Sequence, residues 1–373
     1  MNVYSIIQLQ TGSEISGGIA NYISLLVKSK ELRSFDHIVT VKNINKVAEI
    51  KYKGSKLVEF DNQINLFNFL KKVLVLKNIA TKFKNTLFHS HALKSGFLTV
   101  FLKLIFKVRF VYTNHGLRFL QKNKISLPLF FVIEIIVMLF CEKYICVRYK
   151  DYYFLKSIIK LKFLYKKIEI IRLNLDSKNS YNEISISEKY KTPFTIIGIG
   201  SLIELKRPSK FIDWVQFLTK EGIPIKAYWF GEGPLKEKMI RLTELLNLDI
   251  TWFGQKSQKI IFSYLKKATF LMQTSKFEVY STVILESMSF GTPIISSYYW
   301  GVNELIKDNQ NGVIIDKNIL YKKQYQKLIN LFNNEELYKK LSNNCIMIFL
   351  KYHNDNSKTS SKYKKIFNHI LKS

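Results

Sequence analysis

The sequence is poor in cysteine, in proline and, relative to its lysines, in acidic residues. Its 3 cysteines among 373 residues, Cys141, Cys146 and Cys345, are too few and too irregularly spaced for a disulfide framework or a zinc site. We therefore expect a reducing, intracellular compartment. With 6 prolines, 15 glycines and 47% apolar residues, the composition excludes a disordered chain. Because a single hydrophobic core stops growing near roughly 250–300 residues, the length predicts two domains.

Positive charge dominates the sequence. Lys and Arg number 58 against 28 Asp and Glu, a formal net charge of +30. Residues 1–173 hold 29 basic and 10 acidic residues, whereas residues 174–373 hold 29 and 18. A strong positive electrostatic field favours a polyanionic partner: nucleic acid, an anionic membrane surface or a phosphorylated ligand. A general lysine bias explains the total equally well, but not the excess in the first half.

The sequence has no clear signal peptide or membrane span. Val3–Leu9 is short, lacks a basic leader and is expected to be a strand. Ile125–Val147 is apolar, but Glu134 would sit near the centre of a bilayer at a cost of several kcal/mol. Glu142 and Lys143 also shorten its apolar run below the roughly 20 residues that a crossing helix needs. We expect a buried or membrane-lying helix here.

Short apolar runs alternate with helical patterns along the chain, which predicts an α/β fold with parallel sheets covered on both faces. A polar, Ser- and Asn-rich segment at 175–192 interrupts the pattern and is expected to be a linker. From Leu320 the chain is expected to be helical, with a break around His353–Ser361. The predicted strands are Val3–Leu9, His37–Val41, Lys56–Phe60, Thr86–His89, Phe110–Thr113, Lys143–Val147, Ile168–Ile171, Phe194–Ile199, Ile225–Phe230, Ile250–Phe253, Thr269–Gln273, Pro293–Ser296 and Gly312–Ile315.

The segment Ser275–Glu304 carries the strongest constellation of polar residues. It follows a predicted strand and contains Glu278 and Glu286, eight positions apart. Ser281 and Thr282 are good N-cap residues for a helix that continues through Val283, so backbone N–H groups at the helix start are expected to face an anion. A loop carboxylate, an amide nest and a second carboxylate suit a nucleotide sugar. By spacing alone, two surface glutamates are the better interpretation.

This segment resembles the E-x7-E donor motif of the retaining GT-B glycosyltransferases of family 4 (group 1), which include bacterial capsule, O-antigen and exopolysaccharide enzymes. The resemblance implies that Glu278 contacts the donor sugar and Glu286 the ribose hydroxyls. It is dense from Ile197 to Ile315 and thinner before Thr86. Further matches are Ser275, Gly301, Glu304 and Asp308–Ile315.

The same resemblance suggests other donor-binding residues in the second half. Ile197–Lys206 is similar to the family's strand and loop with Gly-Arg-Leu followed by Lys, so Gly200 and Lys206 match while Ser201 stands where Arg is usual. Lys206 would neutralise the diphosphate, and whether Arg207 replaces the missing Arg stays open. The resemblance also implies nucleotide contacts for two glycines of a turn and for a strand end, Gly231, Gly233 and Phe253.

In the first half, Gly17 and Gly18 resemble the family's loop against the donor diphosphate. His115 would hold a donor-sugar hydroxyl or a phosphate. His89 and His91 point the same way from a strand, which also suits a metal, but no third ligand accompanies them and the family works without one. Ordinary packing of these two histidines is as good an interpretation as a functional role.

The resemblance implies two Rossmann-like domains facing across a cleft: an acceptor-side domain at 1–174 and a donor-binding domain at 193–353. A helix at 354–373 would return to the first domain. The implied reaction moves a sugar from a nucleotide sugar, UDP more often than GDP, to a lipid-linked saccharide, without metal or other cofactor. We expect Glu278, His115 and Lys206 to be the catalytic group, in a protein peripheral to the inner face of the cell membrane.

Three further expectations concern the surface and competing functions. The basic and apolar stretch Lys94–Arg118, with Lys122 and Lys124, is either a surface for an anionic leaflet or a core helix with solvated lysines. A sugar-nucleotide epimerase or hydrolase would need a proton-shuttling carboxylate in the first half, and none stands out. No nucleic-acid-binding motif occurs, so no nucleic-acid partner is expected.

Overall fold

A computed structural model gives the fold of residues 4–10, 17–61, 68–83, 85–117, 127–175, 186–315 and 321–373. The predictions for Arg118, Lys122, Lys124 and residues 176–185 lie outside these ranges. The chain divides into two compact units, residues 1–174 with 355–373 and residues 175–354.

The first unit is a parallel sheet with helices on both sides. Its strand order is β3-β2-β1-β4-β5-β6-β7. The elements are β1 (Tyr4–Gln10), α1 (Gly18–Val27), β2 (Phe35–Val41), α2 (Lys46–Lys51), β3 (Lys56–Glu59), α3 (Phe69–Thr81), β4 (Thr86–His91), α4 (Leu93–Phe106), β5 (Arg109–Asn114), α5 (Leu127–Phe140), β6 (Lys143–Cys146), α6 (Tyr149–Ile158), α7 (Lys162–Tyr165) and β7 (Ile168–Ile170).

The second unit repeats this plan with the order β10-β9-β8-β11-β12-β13. This is the Rossmann order, in which the sheet grows outward in both directions from its first strand. The elements are α8 (Ile186–Lys189), β8 (Phe194–Ile199), α9 (Pro208–Lys220), β9 (Ile225–Phe230), α10 (Lys236–Leu245), β10 (Ile250–Gly254), α11 (Gln258–Leu265), β11 (Phe270–Gln273), α12 (Thr282–Ser289), β12 (Ile294–Ser297), β13 (Gly312–Ile315), α13 (Tyr321–Phe332) and α14 (Glu335–Tyr352).

The last helix, α15 (Asn356–Lys372), belongs to the first unit. Tyr363 Oη lies 2.9 Å from Thr113 Oγ1 and 2.7 Å from Tyr22 Oη, and the Phe367 ring packs against the ring of Phe35. The predicted α/β fold with a C-terminal helix that returns to the first unit is therefore confirmed.

The break before the last helix is shorter than predicted. The sequence indicated a break over His353–Ser361, but α15 already begins at Asn356. Asp355 accepts a hydrogen bond from the backbone N–H of Ser357 and caps the helix. Thr359 and Ser360, polar residues that suggested a loop, are buried against the first unit instead.

The residues of the predicted linker that the structure describes pack within the second unit. Lys189 is 4% exposed and donates to the backbone oxygen of Phe290 and to the hydroxyl of Thr292. Burial lowers the pKa of this amine to about 7. Segment 186–192 is therefore anchored to the second unit through Lys189.

The apolar segment Ile125–Val147 forms helix α5 and strand β6 in its described part. Within the described residues, no helix combines the length and apolar character that a membrane crossing needs. Glu134 is 1% exposed and accepts hydrogen bonds from Tyr112, Asn114 and Tyr144 through Oε1. Burial raises the pKa of this carboxyl to about 7. The glutamate that argued against a membrane span thus lies in the core of the first unit.

This buried carboxyl makes stability depend on pH. Because its pKa is about 7 in the folded state and 4.5 ordinarily, the folded state binds more protons between these values. The free energy of unfolding should therefore fall as the pH rises through this window, relative to Glu134→Gln, by about 3 kcal/mol in total. Urea unfolding of both proteins across the window checks this. The exposed Glu49→Gln should follow the wild type, and parallel curves for Glu134→Gln and wild type would contradict the prediction.

Candidate active site

The carboxyl ends of β8 and β11 mark the position in the second sheet where a ligand is expected. These neighbouring strands have helices that depart in opposite directions, which opens a crevice beyond their ends. The loop after β8 carries Lys206, and the loop after β11 carries Glu278. Lys206 Nζ lies 2.5 Å from Glu278 Oε1. The fold therefore brings together two predicted site residues that are 72 positions apart in the sequence.

Glu278 is held by three donors at a single oxygen. Besides Lys206, the side chain of Gln273 donates to Oε1 at 2.9 Å and the hydroxyl of Ser275 at 2.6 Å. The side chain of Glu278 is 12% exposed and that of Lys206 is 23% exposed. A carboxylate in this setting is oriented before any ligand arrives, and it keeps partial access to solvent.

Helix α12 begins next to this carboxylate. Ser281 occupies the N-cap position, as predicted, but its side chain makes no capping hydrogen bond and instead accepts from Gln273 at 3.1 Å. Thr282 and Val283 form the first turn. The positive end of the helix dipole at this first turn suits an anion.

Glu286 lies one turn further along α12. The residue is 9% exposed, and its carboxylate accepts a hydrogen bond from Gln258 of α11 at 3.1 Å. Glu278 and Glu286 therefore lie before and inside the same short helix, on either side of its N-terminal amides. This order of carboxylate, amide nest and carboxylate is the one that the sequence predicts.

Glycines allow the loops after β8 and β9 to touch. A Cβ atom at Gly231 would lie 2.0 Å from the backbone oxygen of Gly200, and one at Gly233 would lie 2.5 Å from that of Leu202. The indole of Trp229 donates to the Gly200 oxygen at 2.9 Å. Close packing of backbone on backbone thus explains the Gly-x-Gly turn, whether or not a nucleotide also contacts it.

Phe253 lies at an irregularity of strand β10. Trp252 pairs with Trp229 and Gly254 pairs with Phe230, so Phe253 is the extra residue of a β-bulge. A bulge leaves its extra residue out of the ladder. The Phe253 ring stacks on the ring of Phe230 with centroids 5.0 Å apart. The bulge thus frees backbone at the strand end where a base-binding contact is predicted.

Arg207 contacts the loop that carries Glu278. Its Nε donates to the backbone oxygen of Thr274 at 2.7 Å, and its Nη2 donates to the backbone oxygen of Ser275 and the hydroxyl of Ser297. Burial lowers the pKa of this guanidinium. Two of its three nitrogens are therefore used to fix the loop that carries Glu278.

The predicted residues of the first unit lie at the carboxyl ends of its strands. Gly17 is the N-cap of α1 with φ 95°, and among the described residues no atom lies within 4 Å of a Cβ atom added at Gly17 or Gly18. His115 follows β5 and is only partly buried, and its Nε2 lies 3.0 Å from Nδ1 of His91.

His89 and His91 both form hydrogen bonds with neighbouring side chains. His89 Nε2 lies 2.8 Å from Thr113 Oγ1, and His91 Nε2 lies 2.8 Å from Gln8 Oε1. Among the described residues, no group of three or more His, Cys, Asp or Glu side chains could hold a metal ion. Both histidines are fully buried, so they act through their neighbours.

The basic stretch of the first unit is only partly a charged surface. Lys103 pairs with Glu142 at 2.5 Å, and Arg109 donates to the backbone oxygen of Ile370 in α15. Lys94 and Lys107 are exposed. Two of the four basic side chains described in this stretch therefore make contacts within the first unit.

Sequence reasoning missed two glutamines of the second unit. Gln273 joins Glu278 to the N-cap residue, and Gln258 contacts Glu286. Gln273 ends a buried strand, and a long polar side chain at that position was an available signal. Gln258 is the first residue of an exposed helix, and nothing in the sequence marks it as a site residue.

Comparisons with known proteins identify the second unit. Residues 180–346 match the profile of the family "Glycosyl transferases group 1". The second unit is a glycosyltransferase group 1 domain. Its matched region contains the whole arrangement of Lys206, Glu278, α12 and Glu286.

The sequence similarity to known glycosyltransferases extends over most of the chain. An uncharacterised glycosyltransferase of Methanocaldococcus jannaschii is 27% identical over 337 residues, 88% of each chain. A Campylobacter jejuni enzyme named as an α-1,4-N-acetyl-D-galactosaminyltransferase acting on a diphospho-undecaprenol saccharide is 29% identical over 183 residues, 48% of this chain and 49% of that enzyme.

Solved structures show that the glycosyltransferase has the GT-B fold. Anabaena HepE in complex with UDP and glucose is similar with a TM-score of 0.76 and 15% identity, covering 98% of this chain and all of that one. Sucrose-phosphate synthase of Thermosynechococcus elongatus is similar with a TM-score of 0.78 and 14% identity, covering 99% of each chain.

Proposed function

We propose that the glycosyltransferase transfers a sugar with retention of configuration from a nucleotide sugar to a hydroxyl of a lipid-linked saccharide. The observation that carries this proposal is the order Lys206, Glu278, N-terminus of α12, Glu286 around one crevice of the second unit. In this arrangement Glu286 binds the ribose hydroxyls, and the amides of Thr282 and Val283 bind the diphosphate.

The ion pair between Lys206 and Glu278 gives the site a way to respond to its substrate. A diphosphate competes with the carboxylate for the ammonium group of Lys206. When Lys206 turns to the diphosphate, Glu278 keeps the donors Gln273 and Ser275 and gains lone pairs for sugar hydroxyls. We infer that Glu278 orients the sugar, and that Arg207 supports it through the loop.

The chemical step needs few protein groups. The acceptor oxygen forms a bond to the anomeric carbon on the face from which the nucleotide leaves, and the bond from that carbon to the phosphate oxygen breaks. The leaving phosphate takes the electron pair and then the proton of the acceptor hydroxyl. Lys206 and the α12 amides stabilise the growing negative charge. No metal or other cofactor is required.

Phe253 and the glycine turn complete the donor proposal. The bulge at Phe253 supplies backbone groups for the base, and Gly200, Gly231 and Gly233 shape the loops beside it. UDP is favoured over GDP because a protein of the same fold has been solved with UDP and glucose.

The acceptor is proposed from the relatives. Their names include diphospho-undecaprenol saccharides, poly(ribitol-phosphate) and lipopolysaccharide. We infer a saccharide of a capsule, O-antigen or related surface polymer, reached by a peripheral protein at the cytoplasmic face of the membrane.

A donor screen tests this function. Purified protein is given a panel of UDP- and GDP-sugars with EDTA, with and without lipid-linked saccharides, and nucleotide release is followed. We expect turnover with one donor, dependent on an acceptor and indifferent to EDTA, and a product whose anomeric configuration by NMR matches the donor. Release without any acceptor would favour a hydrolase, and an inverted product would contradict retention.

We propose that an apolar face of the first unit binds anionic lipid. The candidate residues are exposed side chains of two helices that pack on each other, Leu104 and Ile105 of α4 and Leu129 of α5, and the exposed Lys107 follows α4. Apolar side chains beside cations suit the interface of an anionic leaflet.

Vesicle flotation checks the lipid-binding face. The protein should float with phosphatidylglycerol vesicles, less so at high salt, and not with phosphatidylcholine vesicles. Leu104→Glu with Leu129→Glu should reduce flotation at least about 10-fold, because burial of each leucine contributes roughly 2 kcal/mol. Leu245→Glu, at an 81% exposed position of the second unit, is the matched control. Equal flotation of all three proteins would reject this surface.

A further inference from the structure

An exposed tryptophan lies in the loop that follows strand β12 of the second unit. Trp300 is 37% exposed, whereas Tyr299 before it is 5% exposed and Val302 after it is 1% exposed. Of the 4 tryptophans in the sequence, only Trp300 is exposed, while the others are buried or partly buried. Single exposed apolar residues are common on protein surfaces, so the position of this indole decides whether it has a role.

The backbone around Trp300 forms a well-anchored turn. The backbone N–H of Val302 donates to the oxygen of Tyr299 at 3.1 Å, which closes a four-residue turn with Trp300 and Gly301 in the middle. Gly301 has φ 90° and ψ 0°, the values of the third residue of a type II turn, where glycine is favoured. Tyr299 and Val302 pack in a core cluster of the second unit, so both ends of the turn are fixed. Trp300 therefore lies at the tip of an anchored turn.

Hydrogen bonds tie the start of this loop to the loop that carries Glu278. The hydroxyl of Ser297, the last residue of β12, donates to the backbone oxygen of Ser275 at 2.7 Å. The hydroxyl of Ser275 in turn donates to Glu278 Oε1 at 2.6 Å. Because β12 pairs with β11 in parallel, the two loops leave the sheet at the same edge. The loop that carries Trp300 thus begins two hydrogen bonds away from the Glu278 carboxylate.

The order of the strands separates this loop from the part of the sheet where the base is proposed to bind, at Phe253 of β10. Neighbouring strands lie about 4.8 Å apart, so the ends of β12 and β10 are roughly 19 Å apart, with β11, β8 and β9 between them. The end of β12 is only about 5 Å from that of its neighbour β11, which precedes Glu278. A nucleotide sugar with its base at β10 and its sugar at Glu278 therefore directs its sugar end, and not its base, toward the loop of Trp300.

The chemistry of an indole suits a sugar ring better than a phosphate. The two faces of a pyranose carry C–H groups, and its hydroxyls lie around the edge. An aromatic ring can cover one face by apolar burial and leave the hydroxyls to polar groups such as the carboxylate of Glu278. A phosphate has no apolar face, and the indole offers it a single N–H donor.

We propose that Trp300 stacks on a pyranose ring and is a specificity-determining residue of the enzyme. The proposal rests on the proposed function for its ligand, which is the sugar of the nucleotide-sugar donor or the terminal sugar of the acceptor. Both sugars present the same kind of C–H face, and binding measurements distinguish them. An axial hydroxyl on the covered face would hold the ring away from the indole, so a sugar with a flat apolar face should be preferred.

Two substitutions of Trp300 test this contact. Trp300→Ala removes the ring from an exposed position and leaves Gly301 and the buried ends of the turn in place, so the fold should survive. We expect it to raise the Kd of the nucleotide sugar or the KM of the acceptor about 10-fold, the usual size of an aromatic contact. Trp300→Phe keeps an aromatic face and should stay within about 3-fold of wild type. Tyr352→Ala, at an exposed aromatic residue of α14 in the same unit, is the matched control.

Three constants assign the ligand of Trp300. They are the Kd of the free nucleoside diphosphate, the Kd of the nucleotide sugar and the KM of the acceptor, each measured for wild type and for Trp300→Ala. A rise in the Kd of the nucleotide sugar alone assigns Trp300 to the donor sugar, and a rise in the KM of the acceptor alone assigns it to the acceptor sugar. An equal rise in the Kd of the free nucleoside diphosphate, or no change in any constant, would overturn the proposal.

Tryptophan fluorescence tests the contact without turnover. The difference in emission between wild type and Trp300→Phe reports on Trp300, and it is followed during titration with UDP- and GDP-sugars, with soluble saccharides and with UDP and GDP. We expect a shift to shorter wavelength with a sugar-bearing ligand and none with the free nucleoside diphosphates. The same shift with UDP or GDP, or no shift with any ligand, would count against stacking on a sugar. Absence of turnover in wild-type protein would reject the proposed function, while this titration would still show whether Trp300 binds a sugar.

Discussion

Lys206→Met is expected to lower kcat about 100- to 1000-fold, the usual cost of removing one preorganised donor from a developing anion. The reason is the position of its ammonium group, 2.5 Å from Glu278 and at the end of the loop after β8. In the free protein its positive charge neutralises the carboxylate of Glu278, and in the reaction it neutralises the diphosphate. Because the negative charge grows as the nucleotide leaves, kcat should fall more than KM rises.

Steady-state kinetics with saturating acceptor measure this effect. Lys276→Met removes an exposed lysine from the loop after β11 and serves as the matched control. Circular dichroism and nucleotide binding establish that Lys206→Met is folded, since Glu278 retains Gln273 and Ser275 as donors. A kcat within a few-fold of wild type, in folded protein, would remove Lys206 from the mechanism.

Glu286→Gln is expected to weaken nucleotide binding about 10- to 100-fold. A hydrogen bond to a charged group contributes about 1.5–3 kcal/mol, and each 1.4 kcal/mol changes Kd tenfold. The amide retains the size of the carboxylate and its contact with Gln258, so the fold of α12 should survive. Because the contact is to the ribose, Kd should rise equally for the nucleotide and for the nucleotide sugar.

Calorimetric titration with UDP and GDP checks this expectation. Glu244→Gln, an exposed glutamate on α10 of the same unit, should bind as the wild type does. A 2′,3′-dideoxyribose nucleotide should bind wild type and Glu286→Gln alike. If Glu286→Gln weakened that analogue as much as UDP, the carboxylate would have another role than ribose binding.

The sheets could be predicted from sequence because buried parallel strands are short, nearly continuous apolar runs. The observed bounds of β8, β9 and β13 are those that the sequence predicts, and the N-cap of α12 lies at Ser281 as expected. The start of α15 could not be predicted, since its polar first turns are buried by another part of the chain.

The contacts inside the site were less predictable than the residues that form it. The pairing of Lys206 with Glu278 joins residues 72 positions apart, and that of Gln8 with His91 joins residues 83 positions apart. Local pattern carries no information on such pairs. The role of Arg207 could not be predicted for the same reason. It is far in sequence from the segment that carries Glu278, and only the structure shows that it holds this loop.

A crystal structure with the nucleoside diphosphate that the donor screen selects is the most direct measurement of the central claim. We expect the ribose hydroxyls within hydrogen-bond distance of the Glu286 carboxylate. We also expect the diphosphate at the amides of Thr282 and Val283, with Lys206 turned toward it from Glu278. A nucleotide bound elsewhere on the chain, with the Lys206–Glu278 pair unchanged, would contradict the account.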